Sequence, residues 1–216
     1  FSRIQFTPDL LPADVVGTMI YSQKDEKVNV KKGPIFANFV LADEINRAPA
    51  KVQSALLEAM AEGQVTIGET SYRLPEPFFV LATQNPIEQE GTYNLPEAEL
   101  DRFLMKIIVP YPTAKEEVEI VKTCGNADSV KVSQIFDERS LSKCRSVLEN
   151  IVCDDKIIEY IVSIVNVTRP SAKNTGEFRS PVNFSKANDD IIRYITYGVS
   201  PRAGIALLQC AKVNAL

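Results

Sequence analysis

The chain has 216 residues, 45% of them hydrophobic and 24% charged, which is ordinary for a folded globular core with room for a smaller satellite. A net charge of −4 without a long basic run argues against nucleic acid as a main partner. No apolar run approaches the roughly 20 residues that span a bilayer, so we expect no membrane insertion.

The chain contains no histidine and four cysteines, none of them in a CxxC pair. Catalysis by a Ser-His or Cys-His pair is therefore excluded, and a zinc site is not indicated. We expect reduced structural cysteines in a cytoplasmic protein. Any enzymatic activity should use carboxylates, arginines or a bound metal.

The first residues carry neither an initiator Met nor the layout of a signal peptide, so we expect the chain to be part of a longer protein. Near-continuous apolar runs predict buried parallel strands. They are residues 38–42, 78–82 and 103–109, and residues 2–6 are interpreted as a fourth strand, cut short at its beginning. Apolar residues at helical spacing predict a helix over residues 50–62, and this alternation of strands and helices predicts a layered α/β core.

Two segments differ from this pattern. Residues 10–33 contain Pro12, Gly17 and Gly33 around a charged turn, and we interpret them as an irregular insertion. Residues 65–74 alternate around a glycine-containing turn, which predicts an exposed hairpin.

After residue 112 the pattern indicates helices only, so we place a domain boundary there. Thr113 and Glu116 have the spacing of a capping box at the start of the first helix. Further helices are predicted over residues 138–150, 155–167 and 201–215, and a long polar loop over residues 169–190.

The strongest local indication of chemistry is the apolar strand that ends in Asp43 and Glu44. Both carboxylates should lie at the carboxyl edge of the sheet, where open α/β sheets bind ligands. One carboxylate can hold the water shell of Mg²⁺, and the second can polarise a water that attacks a phosphate. A solvated strand end would show the same two residues.

Three further residues are candidates. Asn85 follows the next strand and could orient a water or contact a terminal phosphate. Arg102 could reach the phosphates of a neighbouring subunit. Arg202 follows Ser200 and Pro201, a good N-cap and first helical position. Taken singly, each also fits a turn, a surface pair or a solvated helix start.

The order of these motifs resembles that of the MoxR family of AAA+ ATPases. The resemblance is close over most of residues 1–112 and looser beyond. It is carried by LADEINRA at residues 41–48, QSALLEAM at 53–60, ATQNPIEQEGTY at 82–93, LPEAELDRF at 95–103 and GVSPRA at 198–203.

The resemblance implies a role for each candidate. Asp43 matches the Walker B residue that serves Mg²⁺, and Glu44 matches the residue that activates water. Asn85 matches sensor 1, Arg102 the arginine finger and Arg202 sensor 2.

The resemblance also implies an architecture. Residues 1–112 would form a P-loop NTPase core with a parallel sheet, entered at its second strand, and residues 113–216 a helical lid. ATP would bind where they meet, in a ring, most simply a hexamer. Residues 10–33 and 65–74 match the helix insert and the hairpin before sensor 1, which in such rings are candidates for gripping a client. The family is associated with von Willebrand factor A domain partners and with insertion of metal centres.

One departure from the family is large. The phosphate-binding motif GxxxxGK[ST] occurs nowhere in the chain, so we expect this stretch alone to bind ATP poorly. Residues 169–190 also follow the family less closely. Two alternatives stay open: a magnesium-chelatase-like ATPase subunit, which residues 87–93 fit less well, and a scaffold that does not respond to nucleotide.

Overall fold

The computed structural model describes residues 1–23, 26–85, 91–124, 133–169, 194–195 and 197–216. Contacts between residues divide the chain into two compact units, Phe1–Phe103 and Leu104–Leu216.

A three-stranded parallel sheet lies at the centre of the first unit. Its strands are β1 (Ser2–Gln5), β4 (Phe39–Asp43) and β7 (Phe79–Ala82), and β4 lies between the other two. Ile4 is opposite Ala42, and Ala42 is opposite Ala82. Three of the four predicted strands are therefore confirmed, and the prediction of an α/β core with a parallel sheet is confirmed with them.

The two faces of this sheet differ. Val40 and Ala42 are fully buried, in one cluster with Val52 and Leu56 of helix α2 (Ala50–Glu62). On the opposite face Phe39, Phe79 and Leu81 are 38%, 46% and 46% exposed. Strand side chains alternate between faces, so one face makes the core of this unit and the other stays open.

The segment interpreted as an irregular insertion has regular secondary structure, so the expectation that it is irregular is wrong. It contains helix α1 (Pro12–Val16) and an antiparallel hairpin of β2 (Gly17–Ser22) and β3 (Lys27–Lys32). Val28 and Val30 alternate with polar residues, as a strand requires, but the charged turn obscured the hairpin. Part of that turn, residues 24–25, lies outside the described residues.

The base of this hairpin is closed by two glycines. A Cβ on Gly17 would lie 2.4 Å from the Lys31 carbonyl oxygen, and a Cβ on Gly33 would lie 2.2 Å from the Val15 carbonyl oxygen. The Gly33 amide donates to the Val16 carbonyl at 3.2 Å. The two ends of the hairpin therefore touch through bare backbone, an approach only glycine permits.

The second hairpin, β5 (Gln64–Ile67) and β6 (Thr70–Arg73), confirms the hairpin predicted at residues 65–74, but one of its faces is not exposed as predicted, because Val65 and Ile67 are buried in the core. Its two-residue turn begins at Gly68, which has a φ of +64°, a conformation that favours glycine.

The two hairpins contact each other at that turn. A Cβ on Gly68 would lie 2.6 Å from Cε and 2.7 Å from Sδ of Met19, so the Met19 side chain lies directly against the glycine. Lys32 adds a second link, since its Nζ lies 4.7 Å from the ring centre of Phe36 and 5.6 Å from that of Tyr72 on β6. The insertion and the second hairpin thus share an interface.

The remaining elements are helical. Helix α3 (Glu97–Leu100) closes the first unit. The second unit contains α4 (Ala114–Cys124), α5 (Glu138–Glu149), α6 (Asp155–Val167) and α7 (Pro201–Asn214), as predicted to within a residue or two. Thr113 and Glu116 form the predicted capping box, with the Thr113 amide donating to Oε2 of Glu116 at 2.7 Å. Most of the predicted loop, residues 170–190, lies outside the described residues.

The prediction of a strand over residues 103–109 is wrong. These residues form no strand, and Ile107, Ile108 and Val109 are 71–86% exposed. An apolar run predicts burial, but a strand also needs a hydrogen-bonded neighbour, and none of the described strands pairs with this one. No helix within the described ranges is long and apolar enough to cross a membrane.

The contact between the hairpins predicts a difference between two glycines. Gly63 and Gly68 have nearly the same φ, +63° and +64°, but a Cβ on Gly63 would meet nothing within 4 Å. Gly68→Ala should lower the free energy of unfolding by about 0.5–1.5 kcal/mol more than Gly63→Ala, because the end of the flexible Met19 side chain must also move. Urea unfolding of the full-length variants measures the difference.

A Met19→Ala background supplies the control for this comparison. Removing the Met19 side chain should reduce the extra cost of Gly68→Ala, whereas the cost of Gly63→Ala should stay the same. An unchanged extra cost in that background would show that the hairpins are not coupled through this contact.

Candidate functional site

Asp43 and Glu44 end the central strand at the carboxyl edge of the sheet. Main-chain hydrogen bonds continue past the strands on both sides. The Phe6 amide donates to the Asp43 carbonyl at 2.8 Å, the Thr83 amide to the Ala42 carbonyl at 3.0 Å, and the Ile45 amide to the Thr83 carbonyl at 3.0 Å. The backbone that carries both acids is therefore held by both neighbouring strands.

The Asp43 carboxylate accepts hydrogen bonds from both of these neighbours. The Thr83 hydroxyl donates to Oδ1 at 2.6 Å, and Arg3 donates to Oδ2 from Nε at 3.1 Å and from Nη2 at 2.5 Å. The Thr83 bond and, after it, the Arg3 guanidinium lower the pKa of Asp43. Because its folded pKa is depressed, Asp43 stabilises the fold at neutral pH, and this contribution is lost as the pH falls through that pKa.

Glu44 has an unusual backbone conformation. Its φ of 56° and ψ of 49° lie in the left-handed region, which costs a non-glycine residue about 1–3 kcal/mol. Its amide donates to the Thr83 hydroxyl at 2.9 Å, and its Oε2 accepts from Nη1 of Arg47 at 2.9 Å. The conformation turns the chain sharply away from the strand while keeping the carboxylate at its edge.

A buried glutamine holds the turn that follows. Residues Ile45–Arg47 form one turn of 3-10 helix, and the side chain of Gln53, 1% exposed, lies beneath it. Its Nε2 lies within hydrogen-bond distance of three carbonyl oxygens, those of Ile45 (3.1 Å), Ala48 (3.1 Å) and Tyr93 (3.0 Å). Gln53 thus joins α2, the turn after Glu44 and the loop at Tyr93.

Asn85 lies three residues beyond β7, on the side of the sheet edge where Thr83 is found. Its carbonyl oxygen is 3.5 Å from Nδ2 of Asn46, at the limit of a hydrogen bond. Asn46 is buried, and its Oδ1 has no hydrogen-bond partner among the described residues. The structure therefore brings the backbone of Asn85 to the turn that follows Glu44. Residues 86–90 of the same predicted motif lie outside the described residues.

The two candidate arginines, Arg102 and Arg202, belong to different units of the chain. Arg102 follows α3, and its Nη1 donates to the Leu57 carbonyl of α2 at 3.2 Å. This hydrogen bond is to the backbone of α2 and not to the carboxylate of Asp43 or Glu44. Arg202 lies in the second unit, where the Ser200 hydroxyl caps α7 by accepting from the Arg202 amide at 3.0 Å. The predicted N-cap at Ser200 and the predicted first helical position at Pro201 are confirmed.

The donor atoms at the sheet edge suit Mg²⁺ that is shared with a substrate better than a metal ion that is bound by protein ligands alone. Mg²⁺ usually keeps several waters and takes one or two carboxylates together with substrate phosphates. Asp43 supplies one oxygen-donor carboxylate at an accessible edge, with its side chain 22% exposed. Elsewhere in the described chain no cluster of three or more metal-ligating side chains is present. Asp43 could therefore hold such an ion, with water and substrate phosphate supplying the other ligands.

Four residues of this site were not predicted. Thr83, Arg3, Arg47 and Gln53 make the side-chain contacts that position Asp43, Glu44 and the turn after them. Thr83, Arg47 and Gln53 lie inside the quoted motifs, so the motif itself was the available signal. Their partners depend on strand register and on the turn, which the motif does not state.

Comparison with known proteins supports the same family as the sequence motifs. Residues 1–105 match the family described as ATPase family associated with various cellular activities (AAA). The chain is 44% identical to the chaperone MoxR1 of Mycobacterium tuberculosis and 43% identical to the YeaC protein of Bacillus subtilis, in both cases over its whole length. The chain spans 54% of the length of the first relative and 61% of the length of the second.

A solved structure agrees with the fold. The crystal structure of a candidate ATPase from Cytophaga hutchinsonii matches the whole chain with a TM-score of 0.83 and 47% sequence identity, and the chain covers 62% of it. These matches confirm the predicted resemblance to MoxR ATPases.

The contacts of Gln53 predict that it supports the turn after Glu44. Gln53→Leu keeps the size of the side chain but removes both amide protons, which leaves the Ala48 and Tyr93 carbonyl oxygens without this donor. It should lower the free energy of unfolding by about 2–3 kcal/mol. Ser54→Ala is the matched control, since the Ser54 hydroxyl bonds to the exposed Glu99 carboxylate, and it should change stability by less than about 0.5 kcal/mol. Equal denaturation midpoints for the two variants would contradict the role of Gln53.

Proposed function

Because the chain belongs to the MoxR family of AAA ATPases, we propose that the whole protein hydrolyses ATP with Mg²⁺ and uses the reaction to remodel a protein client. The observation that supports this most directly is the position of Asp43 and Glu44. They are adjacent carboxylates at the carboxyl edge of a parallel sheet, where open α/β sheets bind their ligands.

The two carboxylates have different roles in this proposal. Asp43, ionised and fixed by Thr83 and Arg3, holds the metal and its water shell. Glu44 polarises the water that attacks the terminal phosphate, and Asn85 on the neighbouring strand orients that water or contacts the phosphate. Bound Mg²⁺ would supply positive charge against the phosphate oxygens. The GxxxxGK[ST] motif, which binds the β and γ phosphates through backbone amides and a lysine, does not occur in this sequence.

The arginines complete the proposed site in an oligomer. Arg102 acts in trans on the nucleotide of the next subunit of a ring, most simply a hexamer. Arg202 acts as sensor 2 from a helical lid over residues 113–216, with residues 1–112 as the core. Arg102 is held by the Leu57 carbonyl in the middle of α2, and its assignment to the neighbouring subunit rests on the resemblance of residues 95–103 to the family motif.

The client is proposed to meet the two hairpins. Residues 10–33 and 65–74 are joined through Met19 and Gly68, so a force on one hairpin is carried to the other. Tyr21 and Val28, both 59% exposed, offer an apolar tip on the first hairpin. The proposed partner carries a von Willebrand factor A domain, and the proposed outcome is maturation of the client by insertion of a metal centre. The proposed location is the cytoplasm.

The role of Glu44 can be tested by removing its charge and keeping its shape. Full-length protein carrying Glu44→Gln should bind ATP as before but hydrolyse it at least about 100-fold more slowly, because the base is lost. Phosphate release measures the rate. Glu58→Gln on the exposed side of α2 is the control and should keep the parental rate. Parental hydrolysis by Glu44→Gln would refute the role.

The role of Arg102 can be tested by mixing. Arg102→Ala should lower hydrolysis by roughly 10³-fold with ATP affinity little changed, since the arginine stabilises charge that develops in the transition state. Rings that mix Arg102→Ala with Glu44→Gln subunits should regain activity at interfaces where an intact Glu44 faces an intact Arg102. If rings verified as mixed by native mass spectrometry stay inactive, Arg102 does not act in trans.

A further inference from the structure

Thr83 is the residue through which the neighbouring strand holds both carboxylate-bearing residues. It is the first residue after β7. Its amide donates to the Ala42 carbonyl and its carbonyl accepts from the Ile45 amide, both at 3.0 Å. The backbone of Thr83 thus brackets Asp43 and Glu44, binding the residue before them and the residue after them.

The side chain of Thr83 fills the space inside this bracket. A hydroxyl has one proton to donate and lone pairs to accept. Here the proton goes to Oδ1 of Asp43 at 2.6 Å, and a lone pair accepts the Glu44 amide at 2.9 Å. One oxygen atom therefore fixes the side chain of Asp43 and the backbone of Glu44 at the same time.

Each of these hydrogen bonds restricts one movement at the site. The short bond to Oδ1 sets the rotation of the Asp43 carboxylate, whose other oxygen is held by Arg3, a residue with a 59% exposed side chain. The bond to the Glu44 amide opposes relaxation of that residue out of the left-handed region.

We propose that Thr83 is a positioning residue of the ATPase site, whose hydroxyl orients Asp43 toward Mg²⁺ and Glu44 toward the attacking water. The inference rests on the proposed ATPase function for its consequence, but the hydrogen bonds themselves exist without nucleotide. Loss of the hydroxyl would raise the Mg²⁺ requirement through Asp43 and lower kcat through Glu44.

The test compares Thr83→Val, which keeps the shape and removes the hydroxyl, with Thr83→Ser, which keeps the hydroxyl. Thr66→Val is the matched control, because the Thr66 hydroxyl bonds only to Ser71 on the exposed second hairpin. The first measurement is hydrogen–deuterium exchange of the full-length protein without nucleotide, resolved to single amides by electron-transfer fragmentation. The Ile45 amide is an internal reference, since it bonds to the backbone of Thr83.

In Thr83→Val the Glu44 amide should exchange about five- to tenfold faster, the loss expected for one hydrogen bond, with the Ile45 amide within about twofold of the parent. Thr83→Ser and Thr66→Val should match the parent at both amides. Parental exchange at Glu44 in Thr83→Val would overturn the inference. Equal acceleration at Glu44 and Ile45 would also overturn it, because the residue would then only keep the edge folded.

The second measurement is a Mg²⁺ titration of binding and hydrolysis with a fluorescent ATP analogue. Thr83→Val should need severalfold more Mg²⁺ for half-maximal binding and show a lower kcat, and Thr83→Ser should restore both. An unchanged Mg²⁺ midpoint in Thr83→Val would overturn the inference even if Glu44 exchanged faster. If the parent itself hydrolyses no ATP, the proposed function fails, while the exchange and binding measurements still decide the role of Thr83.

Discussion

The parallel pairing of β4 with β1 on one side and β7 on the other is the constraint on which the site depends. Parallel strands end at the same edge, so whatever follows each strand meets there. Arg3 reaches Asp43 from one neighbour and Thr83 reaches it from the other. The pairing continues beyond the strands through the bond between the Ile45 amide and the Thr83 carbonyl. A shift of register by one residue would turn Arg3 or Asp43 to the buried face and dissolve the arrangement.

Electrostatics and backbone geometry keep the two neighbouring acids apart. Asp43 is paired with an arginine from another strand, whereas Glu44 is paired with Arg47 three residues later. The left-handed backbone at Glu44 separates the two directions, and the buried carboxamide of Gln53 holds the turn that this conformation starts. Such strain persists only where the surrounding contacts determine the conformation fully, which is common at functional sites.

Much of the core could be predicted because burial leaves a pattern in sequence. Residues 38–42 and 78–82 are continuous apolar runs, and they are strands. Residues 103–109 have the same pattern and are not a strand, because a run of apolar side chains does not reveal a pairing partner. The candidate acids followed from their place after a strand. The contacts of Thr83 did not follow, since they depend on the register between strands 40 residues apart in sequence. The roles assigned to all five candidate residues stay predictions; these are Asp43, Glu44, Asn85, Arg102 and Arg202.

The glycine closure at the base of the first hairpin bears on how such proteins diversify. Gly17 and Gly33 bring the two ends of a 15-residue excursion into backbone contact, and the chain resumes in the core at Ile35, which is fully buried. Because the ends of this segment already touch, its tip can be lengthened or shortened without moving the sheet to which it is attached. Met19 must be kept in any such change, since it packs against Gly68 of the second hairpin. Variation in length can therefore be confined to the tip of the hairpin, while the backbone at the sheet edge stays the same.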